Sequence, residues 1–211
     1  QALVKPDQAL VKPDQALVKP DQALVKPEVN KQESKQPPVQ LTSPILASLE
    51  TLKDIASQRN PKREVNVVLS KPTLKIGVDS LKFEVKSNQD GYVYVVLLGS
   101  DAKSFYVLFP NGLDDDNKIT KGKSITLPRP LWEIKAAGPE GTDQLLVMVT
   151  DTPRKLKSLV MAPPTAAEPF TYALNDLGGR SALIDFLTGS GINGRSETFG
   201  AKIISVKEVQ K

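Results

Sequence analysis

The segment Asp90–Gly112 constrains the fold more than any other part of the chain. It contains two apolar runs, Tyr92–Leu98 and Phe105–Phe109, which are rich in residues that favour β-strands. The polar connection Gly99–Ser104 is short, so the two runs predict an antiparallel hairpin. Tyr92–Leu98 is apolar on both of its faces, which is typical of a central strand covered on each side. We therefore expect this hairpin to form the middle of a β-sandwich.

The composition excludes several classes of chemistry. The 211-residue chain contains no Cys and no His, which excludes thiol chemistry, disulfides, imidazole bases and nearly all zinc sites. Its net charge is +4, but its Lys residues are scattered, so we expect no nucleic-acid binding. No apolar run approaches the roughly 20 residues of a membrane-spanning helix, so we expect no direct membrane insertion. No GxSxG motif is present, and the GxGxxG spacing at Gly189–Gly194 follows a predicted helix instead of joining a strand to a helix, so phosphate binding is not expected there. The chain is predicted to be neither an enzyme nor a cofactor-binding protein.

Four heptapeptide repeats form the N-terminal part of the chain. The unit QALVKPD begins at Gln1, Gln8 and Gln15, and QALVKPE begins at Gln22. A Pro in every unit removes a helical hydrogen bond and excludes a coiled coil, although the period is seven. The charges nearly cancel and apolar residues are few, so residues 1–40 are predicted to be a disordered, extended spacer.

The remaining chain predicts one domain of mainly β structure. Ser43-Pro44 and the helical spacing of the apolar residues that follow predict an amphipathic helix near residues 44–58, within a connecting region 41–62. Residues 63–153 predict an antiparallel β-sandwich core, immunoglobulin-like in architecture, with about eight short strands. Besides the hairpin, these strands are expected at 65–70, 74–78, 81–85, 124–127, 131–134 and 145–150.

The segment 154–211 is predicted to complete the same domain. Loops are expected at 155–165 and 189–198, a possible brief strand at 170–174 and a short helix at 179–188 that Gly189 ends. Residues 201–209 predict a final strand, and its mixture of apolar and polar groups on both faces indicates an edge position. The expected core contributors are Ile204, Val206, Leu183 and Leu187.

Two features suggest an interaction surface. Asp114, Asp115 and Asp116 could in principle hold Ca²⁺, but EF-hand spacing is absent and a solvated turn explains them better, so no metal is predicted. Trp132, the single Trp, could stack a sugar or a peptide side chain, although packing between sheets is favoured. Together with Asn111, these residues form the predicted surface.

Several short motifs occur in the order GYxYV…LFPN…N…G…P. They are Gly91-Tyr92, Leu108-Phe109-Pro110-Asn111, Asn117, Gly122 and Pro128. From Leu74 to Pro153, the chain resembles a bacterial domain of unknown function. Members of that family lie at the C-terminal end of membrane-anchored serine/threonine kinases and beside caspase-like peptidases, so the resemblance implies an auxiliary role. Gly91 is also expected to permit a turn with positive φ.

The first functional hypothesis is a non-catalytic extracytoplasmic sensor or interaction module of a bacterial envelope signalling protein, the C-terminal domain of such a kinase. The alternative is a binding domain for a peptide, an acyl group or a cell-wall glycan fragment, and a hydrolase using Ser, Lys and carboxylates is third. The expected partner is another envelope protein or a cell-wall component. Because the chain begins within a repeat, we expect a fragment that lost an upstream membrane anchor, hence a periplasmic or envelope location. Without such an anchor the location would be cytoplasmic.

Overall fold

The structure is a computed structural model that describes residues 44–154, 168–189 and 198–211. The chain divides into two units, Gln1–Val39 and Gln40–Lys211, and every described residue belongs to the second unit. The repeats, the loop expected at 155–165 and all but the two end residues of the loop expected at 189–198 lie outside the described residues.

Two helices and ten strands make up the described part of the chain. In chain order they are α1 Pro44–Ser57, β1 Val65–Leu69, β2 Thr73–Lys75, β3 Phe83–Ser87, β4 Gly91–Leu98, β5 Ser104–Phe109, β6 Lys118–Ile119, β7 Ser124–Leu127, β8 Gly141–Thr150, β9 Thr171–Leu174, α2 Leu177–Thr188 and β10 Phe199–Val209. The predicted class, mainly β with antiparallel sheets and two helices, is confirmed.

The strands form a large and a small sheet. The large sheet has the order β2-β10-β8-β4-β5-β9, and β6 pairs with β4. The small sheet has the order β1-β3-β7. Neighbours pair antiparallel except β2 and β10, which are parallel. As the apolar run predicted, β4 is a central strand, because β5 and β8 flank it.

The two faces of the large sheet are covered by different elements. Tyr94 and Val96 of β4 contact the core beneath α1 and α2, whereas Val93 and Val95 contact the core beneath the small sheet. All four side chains are at most 1% exposed. Removing apolar surface from water on both sides of one strand requires an apolar residue at each position, which explains the sequence of β4.

The predicted final strand exists, but its predicted edge position is wrong. β10 lies between β8 and β2, pairing with β8 over ten residues and with β2 at Lys207–Val209. Both faces of β10 carry apolar and polar side chains because the strand is covered by other elements along only part of its length, and not because it lies at a free edge. Val206, Leu183 and Leu187 are buried as predicted, and Ile204 packs partly buried against the core beneath the small sheet.

Two further strand predictions are corrected. Residues 131–134 form no strand; they lie in a loop where the Trp132 amide donates to the Arg129 carbonyl at 3.2 Å, and two prolines precede it. β2 ends at Lys75 because Gly77 adopts a φ of 74° and donates to the Ala136 carbonyl.

Gly91 is required for a different reason from the one expected. It is not among the residues with positive φ. A Cβ atom added there would lie 2.4 Å from the Thr150 carbonyl oxygen and 2.7 Å from the Val149 side chain. Gly91 therefore permits the close approach of two backbones rather than a turn.

Candidate functional site

An open groove lies at one end of the small sheet, with a volume of about 800 Å³. One wall, the loop wall, belongs to residues 128–133, and the other, the β2 wall, belongs to residues 78–80 in the connection that follows β2. The groove is lined by Ser70, Lys71, Val78, Asp79, Ser80, Lys82, Thr126, Pro128, Arg129, Pro130, Trp132 and Glu133. We take this groove as the candidate site because it adjoins Trp132 of the predicted surface.

The Asp114 carboxylate holds the loop wall in place. It accepts a hydrogen bond from Arg129 Nη1 at 2.6 Å and another from Trp132 Nε1 at 3.0 Å. The Asp114 side chain is only 8% exposed, so water screens these charge-assisted contacts little. One carboxylate thereby joins the loop after β5 to the loop after β7.

Aromatic packing further restricts the loop wall. The Trp132 indole stacks on Phe109 with ring centroids 6.1 Å apart and planes 11° from parallel. Its edge contact with Phe170 has a centroid distance of 5.9 Å. The Arg129 guanidinium lies 5.4 Å from the Phe109 ring centroid. Trp132 is 8% exposed, so it packs against the core, the role that the sequence favoured for it.

The structure brings together three of the five residues of the predicted surface. Asn111, only 5% exposed, accepts hydrogen bonds from the backbone amides of Leu113 and Asp114, and its amide group donates to the Leu108 carbonyl. This local capping joins Asn111 to the network of Asp114 and Trp132. The other two predicted residues are exposed; they are Asp115 and Asp116.

The metal-binding capacity of this acidic loop is limited by its own contacts. Both carboxylate oxygens of Asp114 already accept N–H donors. Within the described ranges, no group of three acidic side chains is arranged to hold a metal ion. That the loop carries no metal stays a prediction.

Paired charges of both signs lie along the groove. Lys71 Nζ is 2.7 Å from Asp79 Oδ1, and the hydrogen bond from Lys71 is the main reason that the pKa of Asp79 is lowered. Lys135 is 3.0 Å from Glu133 and lowers the pKa of that carboxyl in the same way. Ser80 Oγ also donates to Glu133 at 3.3 Å, which connects the β2 wall to the loop wall. Both carboxyl groups are therefore ionised at neutral pH.

Two exposed apolar side chains flank the groove, and sequence reasoning missed both. Val78 is 54% exposed on the β2 wall, and Leu131, between two lining residues of the loop wall, is 76% exposed. The sequence predicted a strand at each of these two residues, and an apolar side chain in a strand is expected to be buried. The prolines at 128 and 130 were the available signal that Leu131 lies in a loop.

Comparison with known proteins places this groove in a defined segment. Residues 73–153 match the model of a family described as Domain of unknown function (DUF4384). Ten of the twelve lining residues lie within those limits, so the groove belongs to the matched segment. No curated protein matches the chain. No helix in the described part of the chain is long and apolar enough to cross a membrane. The segment 73–153 is thus similar to this domain of unknown function.

Proposed function

We propose that this protein is a non-catalytic interaction module and that its groove binds an extended peptide segment of a partner protein. The observation that carries this proposal is the pair of exposed apolar side chains, Val78 and Leu131, on opposite walls of the groove. Exposed apolar groups at the rim of a concave surface offer contacts that a partner can bury. The role requires no catalysis, in keeping with a chain that lacks Cys and His.

A preorganised wall favours binding of a flexible partner. Asp114 and Phe109 hold Arg129 and Trp132 in one arrangement, so little side-chain freedom on that wall would be lost when a ligand binds. A flexible peptide loses conformational entropy when it binds in an extended form. A rigid receptor loses little, so the total entropy lost on association is smaller.

The position of β7 favours an extended chain over an enclosed small molecule. β7 is an outermost strand of the small sheet, and Thr126 and Pro128 at its C-terminal end line the groove. The edge of such a strand carries backbone groups that an added strand can pair with. Small molecules are generally held in pockets that bury most of the ligand, whereas this groove is open to solvent.

Peptide selection on the full chain tests the proposal. A display library of random peptides is selected on the wild type, and the selected peptides are then measured against Leu131→Asp and Leu177→Asp. Leu131 and Leu177 are 76% and 77% exposed, but only Leu131 adjoins the groove, so the second variant is a matched control. We expect binding to fall at least about tenfold with Leu131→Asp, corresponding to roughly 1.4 kcal/mol or more, and to be retained with Leu177→Asp.

The fluorescence of the single Trp supplies an independent signal, because Trp132 lines the groove. Selected peptides should change its emission. Peptides that bind both variants equally, or a library that yields no binder, would reject the groove as a peptide site. If peptidoglycan fragments bind there instead, the ligand is a cell-wall glycan and the peptide proposal is wrong.

We further propose that the module acts in the bacterial envelope, outside the cytoplasmic membrane, as the C-terminal part of a signalling protein such as a serine/threonine kinase. The support is the resemblance carried by the LFPN motif and the repeats, whose composition suits a spacer. The coding sequence upstream of the repeats tests this directly. We expect a kinase domain followed by roughly 20 apolar residues, and an upstream region without an anchor would contradict the envelope location.

A further inference from the structure

A pair of carboxyl groups, Asp143 on β8 and Glu208 on β10, lies at the end of the large sheet where β2 joins it. Asp143 is opposite Val206 and Glu208 is opposite Gly141, so the two acidic side chains are diagonal neighbours on one face. Glu208 is 6% exposed and Asp143 is partly buried. In the described part of the chain, no Lys or Arg forms an ion pair with either carboxyl group.

The carboxyl pair joins two turns to the sheet. Asp143 Oδ1 accepts a hydrogen bond from the Ser100 amide, in the turn between β4 and β5, at 2.9 Å. Glu208 Oε2 accepts one from the Gly138 amide, in the turn before β8, at 2.6 Å. Ser100 Oγ donates to the Pro139 carbonyl at 2.9 Å, which connects the turns to each other. A change of charge on the pair therefore acts on both turns and on β10.

The same end of β10 supports the β2 wall of the groove. Leu74 of β2 is opposite Glu208, and β2 pairs with no other strand than β10 in the described part of the chain. The Ile76 amide then donates to the Val209 carbonyl at 2.9 Å, two residues before Val78 of the groove. Loosening the end of β10 would remove the hydrogen bonds that precede the β2 wall.

The charges around the pair do not compensate it. They are Asp101 and its ion-pair partner Lys103 in the β4–β5 turn, Glu140 in the turn before β8, Lys207 on the other face of β10, and Lys75 on β2. Asp101 adds to the negative potential at Asp143. Burial, and then the neighbouring Glu208 carboxylate, raise the pKa of Asp143 to about 6.

We propose that this carboxyl pair makes the β2 wall of the groove responsive to pH. In mildly acidic solution Asp143 is protonated, and a hydrogen bond between its side chain on β8 and the Glu208 side chain holds in place the end of β10 that pairs with β2. At neutral pH that proton passes to solvent, two carboxylates face each other in a partly dry site, and their repulsion loosens the end of β10 and the β2 wall. The effect on ligand affinity rests on the proposed function, whereas the change in the wall is a property of the free protein.

Amide hydrogen exchange on the full chain without ligand tests the inference. Protection factors, corrected for the intrinsic exchange rate, are compared at about pH 5 and about pH 7.5 for the amides of Ile76 and Gly138. We expect roughly tenfold lower protection at the higher pH in the wild type. Asp143→Asn and Glu208→Gln each remove one charge and should abolish that difference. Glu140→Gln removes an exposed charge from the same turn and should preserve it.

Two outcomes would overturn the inference. One is equal protection of the wild type at both pH values. The other is a difference that persists in both Asp143→Asn and Glu208→Gln. A carboxyl ¹³C titration gives a second measurement. The Asp143 carboxyl should show an apparent midpoint near pH 6, and a midpoint below about pH 4.5 would contradict the inference. Because neither experiment uses a ligand, a responsive wall without peptide binding would reject the proposed function alone, and peptide binding with a wall that does not respond would reject this inference alone.

Discussion

The two walls of the groove depend on opposite kinds of electrostatics. The loop wall is held by an ion pair between Asp114 and the Arg129 guanidinium and by a hydrogen bond from the neutral Trp132 indole to the same carboxylate. The β2 wall depends on β10, whose end carries Glu208 beside a second carboxyl group, Asp143 on the neighbouring strand β8. Asp114 and Arg129 attract each other when both are ionised, whereas Asp143 and Glu208 repel each other when both are ionised. Taken together, the two proposals describe a groove with one fixed wall, the loop wall, and one wall that responds to pH, the β2 wall.

The groove also shows how a local segment depends on the rest of the chain. Ten of its lining residues lie in the segment 73–153, but the strand that supports the β2 wall, β10, lies beyond it. β10 separates β2 from β8 in the large sheet. The segment that matches the family model therefore depends on flanking residues to close its own sheet.

The largest effect is expected from removing β10, and with it Glu208 of the carboxyl pair. Truncation after Pro153 deletes the strand between β2 and β8 and the buried residues Leu183, Phe186 and Leu187. Each buried side chain contributes about 1.5–3 kcal/mol, and their sum is comparable with the net stability of a domain. We expect insoluble or molten protein, with no cooperative thermal transition and no near-ultraviolet circular dichroism.

Deletion of residues 1–39 is the control for that truncation. The repeats contain too few apolar residues to form a core, so Tm should change by only about a degree or two. A soluble fragment 1–153 with the cooperative transition of the full chain would show that β10 is attached to the domain without supporting it.

The next effect concerns the loop wall, which Asp114 holds in place. Asp114→Ala leaves Arg129 and the Trp132 indole N–H without their shared acceptor, which should lower the unfolding free energy by about 2–4 kcal/mol. Denaturant unfolding measures this, and Trp132 emission should shift to longer wavelength as the loop admits water. Asp115→Ala is the matched control, because that neighbouring carboxylate is exposed, and it should change the free energy by less than about 0.5 kcal/mol. Equal effects of the two substitutions would show that the loop wall does not depend on Asp114.

A smaller, pH-dependent effect on the unfolding free energy is expected at the carboxyl pair of Asp143 and Glu208. The raised pKa of Asp143 means that the folded protein binds more protons than the unfolded chain between about pH 4 and pH 6, so the unfolding free energy falls as pH rises through that window. Asp143→Asn removes that fall. After allowance for partial exposure, it should be about 1–2 kcal/mol more stable than the wild type above pH 6.5 and equally stable near pH 4. A stability gap that is the same at both pH values would contradict this assignment.

The smallest effect on stability is expected at the rim. Leu131→Asp changes a side chain that is 76% exposed, so the unfolding free energy should change by less than about 0.5 kcal/mol. The comparison is with Leu183→Ala in α2, where a fully buried side chain is lost and about 2–5 kcal/mol is expected. A loss above about 1 kcal/mol for Leu131→Asp would show that this side chain packs on the domain, and a rim role would be wrong.

Local patterns in the sequence predicted the elements with few exceptions. Helix α1 follows from Ser43-Pro44 and the helical spacing after it, and α2 ends at Gly189 as expected, with a φ of 72° there. The β4–β5 hairpin follows from two adjacent apolar runs joined by a short polar connection. These features depend on residues close together in the chain, where periodicity, capping and turn chemistry act directly.

Only the tertiary structure decided which distant segments meet. Alternation in β10 shows which residues share a face, but not that β2, more than 100 residues earlier, pairs along its other side. In the same way Gly138 and Glu208, 70 residues apart, share a hydrogen bond that no pattern predicts. The physical reason is that periodicity reports the orientation of a side chain relative to its own strand, whereas burial, pairing and pKa depend on what packs against that strand. The composition and local pattern of this chain therefore determined its β class and its central hairpin, and packing between distant strands and loops decided the groove and its two walls.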